Sequence, residues 1–344
     1  MSTETEPLLA PSPQPTRPTT SIVLGLVAAL GVAVIATIFG HVAPLIGAPV
    51  FAILIGALVA NIRPLPAAFK PGVGYAAKKV LQGAIIVSGF GLSLATVAKT
   101  GLATLPVALA TIAIALLLAP IIGRLLHLDG ALRQLIGVGT AICGASAIAA
   151  VATVIEPPDE DIALSVATIF FYNIVAVLVF PPIGHLLHLS QAAFGTWAGT
   201  AVNDTSSVVA AGYAYGQTAG AHATIVKLAR ATLILPIVGA IAITRARARR
   251  SEGAAVPWVK IVPWFIVWFL VAALIDTVGL IPASLHGTIA FLSTFLISVA
   301  LAAIGFQTNI GALVHAGVRP LALGFILWIA VAVTSLIVQH AIGA

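Results

Sequence analysis

The stretch Gly199–Gly212, "GTAVNDTSSVVAAG", decides how this chain folds. It sets Asn203, Asp204, Thr205, Ser206 and Ser207 in one unbroken polar row. The row sits in a chain of 344 residues that is 60% hydrophobic and only 8% charged. Soluble domains carry about 25% charged residues, so this composition specifies an integral membrane protein. Apolar stretches near 20 residues recur, the length an α-helix needs to cross hydrocarbon, and β-barrel alternation is absent.

Working outward, eleven apolar segments are expected, at about 21–39, 44–62, 76–98, 102–123, 131–155, 162–186, 190–214, 220–244, 258–281, 284–310 and 317–340. Residues 1–20, rich in Pro, Ser and Thr without an apolar run, read as a disordered tail rather than a signal peptide. Residues 21–344 form a single transmembrane domain. The loop "RARARRSEGAAVPWVK" at 245–260 is its most basic part and is expected in the cytoplasm. Alternation from that loop places Arg17, Arg63, Lys70, Lys78, Lys79, Arg124, Arg133, Arg319, Arg245, Arg247, Arg249, Arg250 and Lys260 inside, and Lys99 outside. That bias predicts a multi-pass membrane protein, N-terminus in and C-terminus out. The net charge of +6 is topological by this reading, so no nucleic-acid partner is implied. Cys143 is the only cysteine, which excludes an intrachain disulfide. No HExxH or Walker motif is present; no metal, cofactor or ATP-driven chemistry is expected, and no enzymatic activity.

Two internal similarities shape the architecture. "GFGLSLATVAKTGLATLPVAL" (89–109) resembles "GFQTNIGALVHAGVRPLALGF" (305–325), seven segments later and therefore inverted. "GTAICGASAIAAVA" (139–152) resembles the opening stretch. Eleven plain spans would make this second pair parallel. If segments five and seven are instead broken or re-entrant, both pairs are inverted and the basic loops keep their side. The expected fold is an all-α polytopic membrane protein with about 9–11 segments, inverted repeats and two broken or re-entrant helices. Nine spans plus two hairpins is the preferred form, and eleven spans the alternative. Inverted repeats with interrupted helices at midplane are a transporter architecture.

Polar and glycine residues suit such interruptions. Irregular backbone at membrane depth must be buried in protein or line a wet cavity, and Ser, Thr, Asn and Asp cap freed N–H groups. Gly139, Thr140, Cys143, Gly144 and Ser146 in one break, and Asn203, Asp204, Thr205 and Ser206 in the other, are the candidate substrate-binding positions. "TIVKLARATLILP" (224–236) adds Lys227 and Arg230, one helical turn apart and about 10–15 Å deep at 1.5 Å per residue. Asp204 is the nearest partner in sequence for Arg230. One surplus positive charge at midplane calls for an anionic ligand, and guanidinium, ammonium and hydroxyl donors suit an oxyanion. Close helix packing explains Gly139 and Gly144 equally well. Tyr172, Asn173, Gln307, Thr308 and Asn309 are read as serving a neighbouring helix's backbone.

These motifs, with "VKLARA" and "KPGVGYAAKKVLQGAIIVSGFGLSL" (70–94), resemble the YeiH-type family of bacterial membrane proteins, usually labelled sulfate exporters. The resemblance covers about residues 21–340. It implies an inverted-repeat fold similar in plan to cation/proton antiporters and bile-acid symporters. It also implies export of a small oxyanion, sulfate or a sulfonate, by secondary transport. H+ or Na+ is the candidate coupling ion and a homodimer the candidate assembly. The family pattern often has His where this chain has Asn203, which shifts coupling towards Asp204. The alternatives are a cation/proton antiporter using Asp204, or an anion channel.

Overall fold

The computed structural model describes residues 18–42, 47–234, 236–241, 264–308 and 317–343. The tail and the 245–260 loop lie outside those residues. Every regular element among them is helical. They are α1 (Pro18–Val42), α2 (Ala48–Ile62), α3 (Lys70–Tyr75), a π-turn (Ala76–Val80), α4 (Leu81–Gly89) and α5 (Leu94–Leu125). Then come α6 (Gly130–Ala141), α7 (Ala145–Ile155), α8 (Asp159–Leu186), α9 (Gln191–Ala201), α10 (Thr205–Tyr215) and α11 (Gln217–Thr232). The last three are α12 (Trp264–Thr277), α13 (His286–Gln307) and α14 (Val318–Ile342), and short 3₁₀ turns precede α3 and α13.

Six of the described helices are long and apolar enough to cross a membrane. They include α1, α5, α8, α13 and α14, and α11 with its continuation to Ile241. Their exposed faces suit lipid: Val23, Val27, Val34 and Ile38 on α1, and Leu102, Leu109, Leu117 and Ile121 on α5. The shorter α2, the α3–α4 run and α12 lie among them. Glycine sets several of these contacts. A methyl group on Gly56 would lie 2.4 Å from the Ala302 carbonyl oxygen, and one on Gly305 would lie 2.4 Å from that of Ile53. The backbones of α2 and α13 therefore touch, as small residues permit between helices in lipid.

Segments five and seven are both interrupted, and both turn back. α6 runs antiparallel to the end of α5, with Gly137 against Ala119 and Gly123 against Arg133. α7 folds back on it, since a methyl on Gly139 would meet Ile148 at 2.9 Å. Leu164, early in α8, then packs on the cluster holding Leu128 and Leu132, where α6 began. α8 carries the chain to the other face, and α9–α10 dips in from there. The end of α10 returns to the start of α9: Tyr215 Oη donates to the Leu189 carbonyl at 2.5 Å. Gln191 Nε2 donates to the Tyr215 carbonyl at 3.3 Å, and the Ala219 amide donates to Gln191 Oε1 at 2.9 Å. Both hairpins turn back rather than cross, and six of the nine other described helical runs are long and apolar enough to cross a membrane.

The inversion is visible in packing. Leu323 and Leu327 of α14 join Leu128 and Leu132 near the root of hairpin α6–α7. Farther along α14, Ala332 accepts from Trp197 Nε1 at 3.0 Å, and Ser335 Oγ pairs with Thr200 Oγ1 at 2.7 Å. So α5 backs one hairpin, and an oppositely directed α14 backs the other.

Two boundaries differ from the sequence expectation. The third segment, expected at 76–98, is helical from Lys70 to Gly89, because a turn at Phe90–Ser93 ends it. Ser93 Oγ then accepts from the Thr96 amide and starts α5 eight residues ahead of the expected 102. As a result Lys78 and Lys79, expected at the cytoplasmic end of segment 76–98, sit near the middle of a helical run instead.

Candidate functional site: two hairpin tips held by buried cations

The hairpins meet tip to tip. A methyl on Gly144 would lie 3.6 Å from both Cα and Cβ of Asp204, and 3.4 Å from Ile169 of α8. Gly144 has φ +67°, a conformation glycine adopts without a Cβ penalty, and it closes the sharp turn from α6 into α7.

Each tip exposes two kinds of unsatisfied backbone. The last carbonyls of α6 and α9 and the first amides of α7 and α10 have no intrahelical partners. In lipid such groups must be satisfied internally. The two buried cations of α11 take the carbonyl ends. Lys227 Nζ donates to the carbonyls of Ile142 at 2.9 Å, Val202 at 3.1 Å, and Asn203. That uses all three ammonium protons. Arg230 Nε donates to the Ala141 carbonyl at 3.0 Å. Arg230 Nη2 donates to those of Thr140 at 2.9 Å and Ala141 at 2.7 Å, and Nη1 to that of Thr200. Both side chains are fully buried. A helix C-terminus carries roughly half a negative charge, so two such ends offset the cost of burying these cations.

The amide ends are treated unequally. Asp204 caps α10: its Oδ2 accepts from the Ser206 amide at 2.9 Å and from Ser206 Oγ. Asn173 of α8 supports the same tip, its Oδ1 accepting from the amides of Asn203 at 3.1 Å and Asp204 at 3.2 Å. At α7 the N-cap is Gly144, which has no side chain to offer. Ser146 at that bare end is exposed, while Asp204 and Thr205 are partly exposed and Asn203, Ser206 and Cys143 are buried.

Every expected site residue therefore falls at the two tips or on the cations holding them. The expected pairing of Arg230 with Asp204 is different in the structure. Among the described residues no Lys or Arg nitrogen lies within 4.0 Å of the Asp204 carboxylate, and Arg230 spends its donors on carbonyls instead. Asp204 is nevertheless within electrostatic reach of Lys227. Thr140 turns its hydroxyl back to the Ile136 carbonyl at 2.9 Å and contributes to the tip through its own carbonyl. Tyr172 and Asn173 serve neighbouring backbones as expected, the tyrosine donating to the Leu321 carbonyl at 2.7 Å. Asn309 lies outside the described residues. Asn173 Nδ2 and Asn203 Oδ1 are buried without a hydrogen-bond partner. Among the described residues no group of three His, Cys, Asp or Glu is placed to hold a metal.

Fold and tips define a class: an all-helical multi-pass membrane protein built on two re-entrant hairpins of opposite direction. Comparison with known proteins gives the family. Residues 24–324 match the family described as conserved hypothetical protein 698. The chain is 40% identical over 324 residues to a UPF0324 membrane protein of Fusobacterium nucleatum, covering 88% of this chain and 93% of the relative. It is 40% identical to one of Streptococcus agalactiae and 41% identical to one of Streptococcus pyogenes, each over 93% of this chain and 97% of the relative. The chain belongs to the UPF0324 family of membrane proteins.

Proposed function

We propose that this protein is a secondary transporter of a small oxyanion, of the sulfate or sulfonate class, working by alternating access as an exporter. The observation that carries the reading is the unequal finish of the two tips. Lys227 and Arg230 neutralise both carbonyl ends, and Asp204 caps one amide end. The N-terminus of α7 at Ala145 and Ser146 has no side-chain cap and is accessible. A bare helix N-terminus favours anions. Two buried cations against one carboxylate keep the tip formally positive.

In this reading the Ala145 and Ser146 amides, the Ser146 hydroxyl and Thr205 contact the anion. Lys227 and Arg230 are positioning residues that fix both tips. Asp204, half-buried beside the anion position, is the group that would exchange a proton or Na+ with it. Hairpins rooted on opposite faces suit alternating access, because one bundle can move past the other around a midplane site. The basic faces of α2, α3, α5 and α6, holding Arg63, Lys70, Arg124 and Arg133, are assigned to the cytoplasm on the same reading.

A second reading, a cation/proton antiporter, draws on the partly exposed Asp204 carboxylate. The test is a solid-supported-membrane current assay on reconstituted protein with sulfate, sulfite, a taurine-like sulfonate and sodium chloride. Saturable currents with one of the oxyanions, lost in Ser146→Trp, are expected. Currents with sodium alone, abolished by Asp204→Asn and indifferent to the anion, would establish the antiporter instead. Currents that never saturate and show no counterflow would establish a channel.

A further inference from the structure

We infer that Lys78 and Lys79 line a water-filled vestibule in the α3–α4 run that gathers small anions from the face where Lys70 lies. The inference rests on the oxyanion reading for its ligand, but not for its test. α3, the π-turn and α4 form one helical run from Lys70 to Gly89, about 30 Å long at 1.5 Å per residue. Its ends are fixed by packing. Gly72 sits against Ile22 and Gly25 at the start of α1, and Gly89 against the Phe269 carbonyl of α12. Lys78 and Lys79 therefore lie about 12–14 Å from the Lys70 end, near the middle of the run.

Both lysines are exposed there. Acyl chains are a poor medium for them, because a lysine at bilayer centre costs about 2.5–3.5 kcal/mol on insertion scales. Their surroundings also differ from a lipid face. Gln82, one turn on, is partly exposed, and a methyl on Gly74 or Gly83 would meet nothing within 4 Å. The outward faces of α1 and α5 carry Val, Ile and Leu instead. The π-turn itself spans Ala76–Val80 and holds both lysines. Single π-turns inside α-helices are frequent at functional sites. Neither lysine has an ion-pair partner within 4.0 Å among the described residues. At the mouth of the run, Asn61, Lys70, Gln307 and Thr308 line a cavity of about 580 Å³. In the vestibule we infer, two unpaired ammonium groups would raise the local concentration of anions.

Cysteine accessibility tests this without any transport. Lys78→Cys, Lys79→Cys and Gln82→Cys are made in the wild-type chain, whose only other thiol, Cys143, is buried and sets the blank. Membranes open on the Lys70 side are treated with an anionic sulfonate methanethiosulfonate and with its cationic trimethylammonium counterpart. Lys70→Cys serves as the wet reference and Leu117→Cys as the lipid reference. The vestibule predicts labelling at all three positions, with the anionic reagent favoured about tenfold at Lys78→Cys. That preference should vanish in Lys78→Cys/Lys79→Gln. Labelling as slow as at Leu117→Cys would place the lysines against lipid and overturn the inference. So would labelling with no preference for the anionic reagent. Labelling as predicted, alongside absent oxyanion currents, would retain the vestibule and reject the oxyanion transporter.

Discussion

Gly144 of one hairpin lies against Asp204 of the other, close enough that a methyl group on the glycine would stand 3.6 Å from the aspartate's Cα. The bare start of α7 and the capped start of α10 are thereby brought side by side. Gly144→Ala would force a residue with a Cβ into φ +67°, ψ −131°, a region nearly confined to glycine. The penalty is about 1–3 kcal/mol, before any push on Ile169 or Asp204. A lower midpoint in detergent thermal unfolding is expected. Gly83→Ala, inside α4 and facing open space, should leave the midpoint unchanged or raise it.

Arg230 makes four donations to three carbonyls, and Met in its place makes none. Each hydrogen bond from a charged group contributes about 1.5–3 kcal/mol, so Arg230→Met should lose well over 3 kcal/mol. The expected result is an aggregating or protease-sensitive protein by size-exclusion chromatography. Arg230→Lys keeps the charge and should recover part of that loss. A monodisperse Arg230→Met protein with unchanged unfolding would refute the anchoring role.

Asn173 holds the α9–α10 tip through one oxygen that accepts from two amides. Asn173→Ala leaves the buried Asn203 amide and the part-buried Asp204 amide unpaired, costing about 1–3 kcal/mol. Asn173→Asp retains the acceptor and should be less damaging than Ala. Thermal unfolding of the pair checks the order.

Gly56→Ala would place a methyl 2.4 Å from the Ala302 carbonyl oxygen and wedge α2 away from α13. Overpacking of this kind costs about 1–3 kcal/mol. A reduced yield of folded protein is expected, against the unaffected control at Gly31, whose surroundings are open.

Much of this was legible in the residues. Composition announces the bilayer, and the likeness of 139–152 to 199–212 announces two equivalent interruptions. Their inversion follows from requiring both similarities to share one symmetry. Depth alone shows that Lys227 and Arg230 must have buried partners. What those partners are was not legible: backbone carbonyls carry no sequence signature, whereas Asp204 does, and the eye pairs charge with charge. The depth of Lys78 and Lys79 was hidden for another reason. A lysine pair reads as the cytoplasmic end of segment 76–98, yet counting twenty residues back from the turn at Phe90–Ser93 reaches Lys70, which sets the pair near the middle of the run. Asn173 stood out only as a polar group at depth, and its particular duty needs the three-dimensional approach of α8 to the second tip.

Lys227 grips Ile142 in one hairpin and Val202 and Asn203 in the other with a single ammonium group. Neither hairpin can slide without dragging its counterpart, because parting them strands a buried charge. On the transporter reading, any stroke would therefore carry both hairpins as one rigid carriage, and the sliding seam would fall elsewhere, between that carriage and the helices around it.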